Sequence, residues 1–351
     1  MIDLFIKRIN RGEGKELILY SKKKLNYKVF EGLPPVSGNQ THLRFHPIRS
    51  EWVGYSTTRQ NRTFLPNTME CPLCPMTNDK ELSDIPVDQY EVAIFTNRFS
   101  SLQLQDSKIP SLELETNQAT GTCDVVSYSS NHQDQFSNLP QERIELIIHA
   151  LSNRTQELFE NPNIKYILPF ENKGKEIGVT LDHPHGQIYS FGHIPEIIKK
   201  QSISQQGKPL ENYLSNIPEE LILKKNSTGI CFVPRWARYP FEIWVVPYRR
   251  VPDLYSLSDD EKKDLAELML VASKKLDGVF DTPMPYTLAW QLSPRGYEDS
   301  HHFHLCFQPI RRSKTKLKYL AGVEQITGFF LVDLPPERSA RILRGEEQPD
   351  E

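Results

Sequence analysis

Apolar residues recur at helical spacing in two stretches of the chain. Ile144, Ile147, Ile148 and Leu151 follow the i, i+3, i+4, i+7 rule and Leu158 extends it. This predicts an amphipathic helix over 139–159, with Asn138 as its cap. Further on, Leu265, Leu268, Met269, Ala272 and Leu276 repeat the pattern behind Ser258-Asp259-Asp260-Glu261. That run is a capping box and predicts a second helix opening at Ser258. An apolar run precedes each helix, at 90–95 and 241–246, and two strand-like runs follow each, at 165–170 and 186–190 and at 286–292 and 304–308. Both series reach a pair of histidines separated by one residue, His183/His185 and His302/His304. The repetition predicts an α+β protein of two related halves, each an antiparallel sheet covered by helices. Residues 41–198 form the first half, 199–226 a polar connecting segment and 227–351 the second half, while 1–40 read as an irregular lead-in.

Composition narrows the class. With 351 residues and 38% hydrophobic content, the chain has material for genuine cores. The net charge of −3, with both signs interspersed, argues against a nucleic-acid partner and requires any phosphate site to be a local cluster of donors. No apolar run approaches membrane-spanning length and the N-terminus lacks the pattern of a secretory signal, so the expectation is a cytoplasmic protein with no membrane partner. Five cysteines are too few and too unevenly placed for a disulfide framework. Cys71 and Cys74, in Cys71-Pro72-Leu73-Cys74-Pro75, have metal-ligand spacing, but a lone Cys-x-x-Cys is half of a zinc site.

The run His183-Pro184-His185-Gly186-Gln187 carries the chemistry. Two residues apart in an extended segment, the imidazoles point to the same side. A neutral imidazole is a competent nucleophile at phosphorus, provided one ring nitrogen is free and the other is held by a hydrogen bond. Gly186 lets the backbone approach a phosphate closely. An amide at Gln187 holds phosphate oxygens without donating a proton to a leaving group, which favours transfer over hydrolysis.

Together with Phe170-Glu171-Asn172-Lys173-Gly174, this run resembles the galactose-1-phosphate uridylyltransferases of the histidine-triad superfamily. The resemblance, which covers roughly 42–345 by motif order, implies two tandem histidine-triad-like halves. It also implies a double displacement in which UMP passes from UDP-glucose to galactose 1-phosphate through a uridylyl-histidine. By the same resemblance His185 is the nucleophile, and Gln187, Asn172 and Thr180 hold phosphates, Thr180 standing where serine is more usual. His132 and His183 join Cys71 and Cys74 in a closed, structural zinc site. Asn97, in Phe95-Thr96-Asn97-Arg98-Phe99, reads the uracil. The block from Arg44 to Val53 resembles the family's opening segment. Arg59 and Arg62 after it form a phosphate clamp that serves the neighbouring subunit, which implies a homodimer with shared sites. Lys318, Tyr319 and Glu324, in Lys318-Tyr319-Leu320-Ala321-Gly322-Val323-Glu324, contact the hexose of the UDP-hexose and hexose 1-phosphate substrates.

Two departures stand out. Some family members carry a second, iron-type site, but Gln201 and Gln291 fall where two of its ligands belong, and glutamine is a poor iron ligand. That site is expected to be absent, with His302 and His304 structural. A glutamine used on the sugar is missing, with Phe330 near its place. Two rival readings remain: a nucleotide-sugar or dinucleoside polyphosphate phosphorylase (adenylyltransferase) of the same superfamily, and a zinc-stabilised nucleotide-binding module without turnover.

Overall fold

The computed structural model describes residues 3–12, 15–31, 41–57, 66, 70–78, 80 and 82–350. Both helices predicted from periodicity are present. The first, α1 (Gln141–Glu160), buries Ile144, Ile147, Ile148, Leu151 and Leu158 as expected, but Asn138 does not cap it. Pro140 occupies the N-cap, and Leu139 is held extended at ψ 143, as the residue before a proline generally is. Asn138 therefore closes a separate 3-10 turn, Phe136–Asn138. The second long helix, Asp259–Asp277, has the reciprocal capping box: Ser258 accepts from the Glu261 amide, and the Glu261 side chain accepts from the Ser258 amide.

In chain order the strands are β1 (Phe5–Asn10), β2 (Glu16–Ser21), β3 (Thr41–His46), β4 (Glu51–Ser56), β5 (Val92–Thr96), β6 (Thr116–Gln118), β7 (Gly121–Ser127), β8 (Tyr166–Lys173), β9 (His185–Phe191), β10 (Ile222–Lys225), β11 (Gly229–Phe232), β12 (Ile243–Pro247), β13 (Tyr286–Gln291) and β14 (His304–Pro309). The helices around them are α2 (Glu196–Gln205), α3 (Pro209–Leu214), α4 (the second long helix), α5 (Gly322–Thr327) and α6 (Pro336–Arg344). Eleven strands form one antiparallel sheet in the order β1-β2-β5-β7-β9-β8-β13-β14-β12-β11-β10. The halves are joined edge to edge by pairing of β8 with β13, Asn172 opposite Thr287. Strands β4, β3 and β6 make a separate small sheet.

Residues 1–40 were expected to be irregular, yet β1 and β2 form a hairpin and β2 pairs with β5 inside the large sheet. Leu17 through Tyr20 are buried on both faces, so the run shows neither alternation nor helical spacing. Within 199–226, too, the chain is ordered into most of α2, α3 and the edge strand β10.

Alternation across the sheet places the site. Ile18, Tyr20, Val92, Ile94, Val126 and Ile188 point into a core shared with α1, and Leu288, Leu305, Phe307, Ile243 and Val245 continue that core beneath α4. On the opposite face, Leu17, Leu19, Ala93, Phe95 and Val125 pack against Cys71, Leu73 and Cys74. His185 and Gln187, three residues and one residue before Ile188 in β9, lie on this second face, away from the long helices. Ser258→Ala is expected to lower the unfolding free energy by about 1 kcal/mol in a denaturant titration, because it removes one arm of the capping box.

Candidate active site and metal centre

Four side chains distant in sequence meet beside β9. The ligand atoms of Cys71, Cys74, His132 and His183 all lie within 4.8 Å of one another. Cys74 Sγ is 3.4 Å from His132 Nδ1 and 3.5 Å from His183 Nδ1, and Cys71 Sγ is 3.8 Å from His183 Nδ1. Tetrahedral zinc with bonds of about 2.3 Å to sulfur and about 2.0 Å to nitrogen separates such ligands by roughly 3.5 Å, so the group fits the ion. The Cys71 thiol is held below its ordinary value by hydrogen bonding with the Cys74 thiol and then with His183, which favours one thiolate in the pair. With four protein ligands, a tetrahedral ion bound here would have no open coordination position.

The surroundings fix these ligands. His183 Nε2 donates to the Ser129 carbonyl at 2.7 Å, leaving Nδ1 with its lone pair toward the thiols. The buried Tyr90 hydroxyl sits 2.6 Å from Leu73 O and 2.8 Å from Ser129 O, tying the knuckle to the segment bearing His132. Lys80, also buried, donates from Nζ to the carbonyls of Cys71 (2.6 Å) and Cys74 (2.8 Å), and Ser83 donates to Pro72 O. Sequence reasoning missed Lys80, Ser83 and Tyr90, since no local spacing distinguishes them from surface lysines, loop serines or core tyrosines.

His183 also orients His185. His185 Nδ1–H donates to the His183 carbonyl at 2.7 Å, which leaves Nε2 with its lone pair. Burial is the largest influence on His185 and lowers its pKa, partly offset by that hydrogen bond, so the ring is neutral at physiological pH. His185 lines two adjoining cavities. One, of about 330 Å³, is bordered by Asn172, Lys173, His132 and His183; the other, of about 90 Å³, by Asn97, Thr180 and Gln187. His185 thus stands where the two meet, with amide side chains on both sides and the Thr180 hydroxyl on one. Asn97 is a turn residue as well as a cavity wall, for its Oδ1 accepts from the Phe99 amide at 2.9 Å. Asn172 Oδ1 accepts from Thr287 of the second half at 3.2 Å. Beneath them Glu171 is buried and its carboxyl is raised to about 8 by desolvation, which keeps it protonated at neutral pH.

Other expectations are altered. Gly186 does not line either cavity; a Cβ there would lie 2.1 Å from the Tyr128 hydroxyl, so packing on the helix side of the sheet demands the glycine. Lys318 and Glu324 pair with each other at 3.0 Å, their side chains largely buried, and Tyr319 is 62% exposed; none of the three lines the cavities at His185. Lys318 also donates to Leu331 O, and hydrogen bonding from Lys318 pulls the Glu324 carboxyl down to about 2. Phe330 packs against Tyr239 and the Arg238 guanidinium. Arg59 and Arg62 lie outside the described residues. In the second half, His302 Nε2 donates to Pro247 O at 2.8 Å and His304 Nδ1 to His302 O at 2.8 Å.

Metal analysis of the purified protein is expected to give about one zinc per chain, and Cys74→Ser to lose it together with a drop in unfolding temperature. Gly186→Ala is expected to cost about 1–3 kcal/mol in denaturant unfolding through overpacking, with part regained in the Gly186→Ala/Tyr128→Leu double variant.

Known proteins resemble this chain along most of its length. Residues 33–195 match the family model described as galactose-1-phosphate uridyl transferase, N-terminal domain, and residues 210–349 the corresponding C-terminal domain. The galactose-1-phosphate uridylyltransferase of Thermotoga maritima is 35% identical over 318 residues, covering 87% of this chain and 98% of the relative. That of Streptomyces lividans is 28% identical, covering 95% of each chain. A solved uridylyltransferase structure superposes with a TM-score of 0.75 at 27% identity, covering 87% of this chain and 98% of the other. An ADP-glucose phosphorylase from Arabidopsis thaliana, at 22% identity and a TM-score of 0.66 over 87% of this chain and 98% of its own, shares the fold. The two matched domains and the Thermotoga relative establish that this chain belongs to the galactose-1-phosphate uridylyltransferase family.

Proposed function

We propose that the protein transfers UMP from UDP-glucose to galactose 1-phosphate by double displacement at His185. The observation that carries this reading is the His185 ring itself: Nδ1–H is committed to the His183 carbonyl and Nε2 stands at the junction of two polar cavities. In the first step Nε2 attacks the phosphorus bonded to uridine. The bond to the bridging oxygen breaks, and glucose 1-phosphate leaves with the electron pair. In the second, a phosphate oxygen of galactose 1-phosphate attacks the same phosphorus, the P–N bond breaks, and the neutral imidazole is regenerated with UDP-galactose.

The residues divide accordingly. Asn97 faces the base, Thr180 and Gln187 hold the phosphate that stays with uridine, and Asn172 reaches the departing and arriving phosphates. Gln187 offers an amide N–H and no acid proton, so water gains no general acid at this position. Zinc, when bound by Cys71, Cys74, His132 and His183, supplies rigidity. The orientation of His185 is then set by the His183 carbonyl.

The protein works as a cytoplasmic homodimer in this reading. Arg59 and Arg62 clamp a phosphate in the neighbouring subunit's site, and the segment of Lys318, Tyr319 and Glu324 contacts the hexose. Support comes from the segment around α5, where Tyr319, Ile326 and Phe329 are 62%, 74% and 63% exposed. Apolar groups so placed are suited to a protein contact.

Intact mass after mixing the protein with UDP-glucose and no acceptor tests the proposal. A gain of one UMP is expected, absent in His185→Ala and discharged by galactose 1-phosphate; no adduct, or one that survives His185→Ala, refutes the mechanism. Labelling by ADP-glucose alone would favour the phosphorylase reading, and nucleotide binding without any mass gain the non-catalytic one. Because burial lowers the His185 pKa, adduct formation is expected to persist on acidification to below the ordinary imidazole value of about 6.5 before it declines.

A further inference from the structure

The second half repeats the first down to single hydrogen bonds. Strand β14 lies between β12 and β13 as β9 lies between β7 and β8. His304 opens β14 as His185 opens β9, and each donates Nδ1–H to the carbonyl two residues earlier, at 2.8 and 2.7 Å. His302 and His183 in turn each have Nε2 on a backbone carbonyl, Pro247 O at the end of β12 and Ser129 O two residues past the end of β7. Leu305 and Phe307 point to the α4 core, which leaves His304 and Cys306 on the face that corresponds to the catalytic one.

That face holds a cavity of about 360 Å³ lined by His304, Cys306, Trp236, Trp244, Gln201 and Arg238, with Lys200 at its border. Its character differs from that of the first half. Cys306 occupies the place of Gln187, so the amide that would hold a phosphate beside the histidine is gone. Trp244 stacks on the His304 ring at 4.6 Å with 21° between planes, and Trp236 meets Trp244 edge-on at 5.5 Å while remaining 43% exposed. Among the described residues His304 Nε2 has no hydrogen-bond partner, and Lys200 and Arg238 form no ion pair. A wall of indoles, an imidazole nitrogen without a protein partner and the cations Lys200 and Arg238, the latter resting over the Phe330 ring, complement a flat heteroaromatic ring that carries an anionic group.

The geometry points to this cavity as a second ligand site, for a mononucleotide held without chemistry: the base lies against Trp236 and Trp244, and the phosphate meets Lys200 and Arg238. Covalent transfer is not part of its role, since Cys306 cannot replace Gln187 as a phosphate donor. The site is independent of uridylyl transfer at His185.

Calorimetric titration of the full chain with AMP tests it, with adenosine and inorganic phosphate as controls. AMP is expected to bind, adenosine more weakly and phosphate without detectable heat. Trp236→Ala and Arg238→Gln are each expected to weaken AMP by about tenfold or more, the scale of lost base stacking or phosphate pairing, while Gln187→Ala leaves it unchanged. Trp236 is exposed and Arg238 lies at the cavity wall, so neither change removes a core side chain. The inference is overturned by absence of AMP binding at millimolar concentration, by wild-type affinity in either variant, or by loss in Gln187→Ala, which would place the nucleotide at His185.

Discussion

The site depends on one residue that faces two ways. Through Nδ1, His183 belongs to a cluster of two thiols and a second imidazole; through its carbonyl, it accepts the Nδ1–H hydrogen bond of His185 at 2.7 Å. The first role fixes where the backbone of residue 183 lies, and the second converts that position into a tautomer. A free imidazole exchanges its proton between two nitrogens, so a nucleophile of this kind needs such a constraint. Pro184 restricts the backbone between the two imidazoles, leaving little rotational freedom between His183 and His185.

The large sheet makes that constraint possible. Strand β9 is held on both sides, by β7 and β8, and its alternate residues go either into the α1 core or toward the cavities. Gly186 shows how tightly the buried side is packed, for the Tyr128 hydroxyl occupies the space of its missing side chain. Edge-to-edge pairing of β8 with β13 then lets Thr287 of the second half touch Asn172 of the first. The second half thus supports β8, which carries Asn172, while its own His304 faces a cavity of different composition.

Much of this was legible in the sequence, for identifiable physical reasons. Amphipathic spacing located α1 and α4 because each buries one stripe, and the repeated histidine pair exposed the internal duplication. The Cys71-x-x-Cys74 and His183-x-His185 spacings are set by short-range backbone geometry, so they announce themselves. The hairpin of β1 and β2 did not, since burial on both faces erases the two-residue period. Nor did Lys80 and Tyr90, whose roles arise from contacts to backbone carbonyls far along the chain. Gly186 was visible as a glycine but not for its reason, which lies in a tyrosine on the opposite face.

The most direct test of the central claim is the tautomer of His185, read by nitrogen NMR of histidine-labelled protein before and after zinc is withdrawn. The account predicts a protonated Nδ1 and a bare, pyridine-like Nε2 in the zinc-loaded protein, giving way to an exchanging mixture when the metal is removed. A proton on Nε2 in the loaded protein, or a tautomer indifferent to zinc, would contradict it.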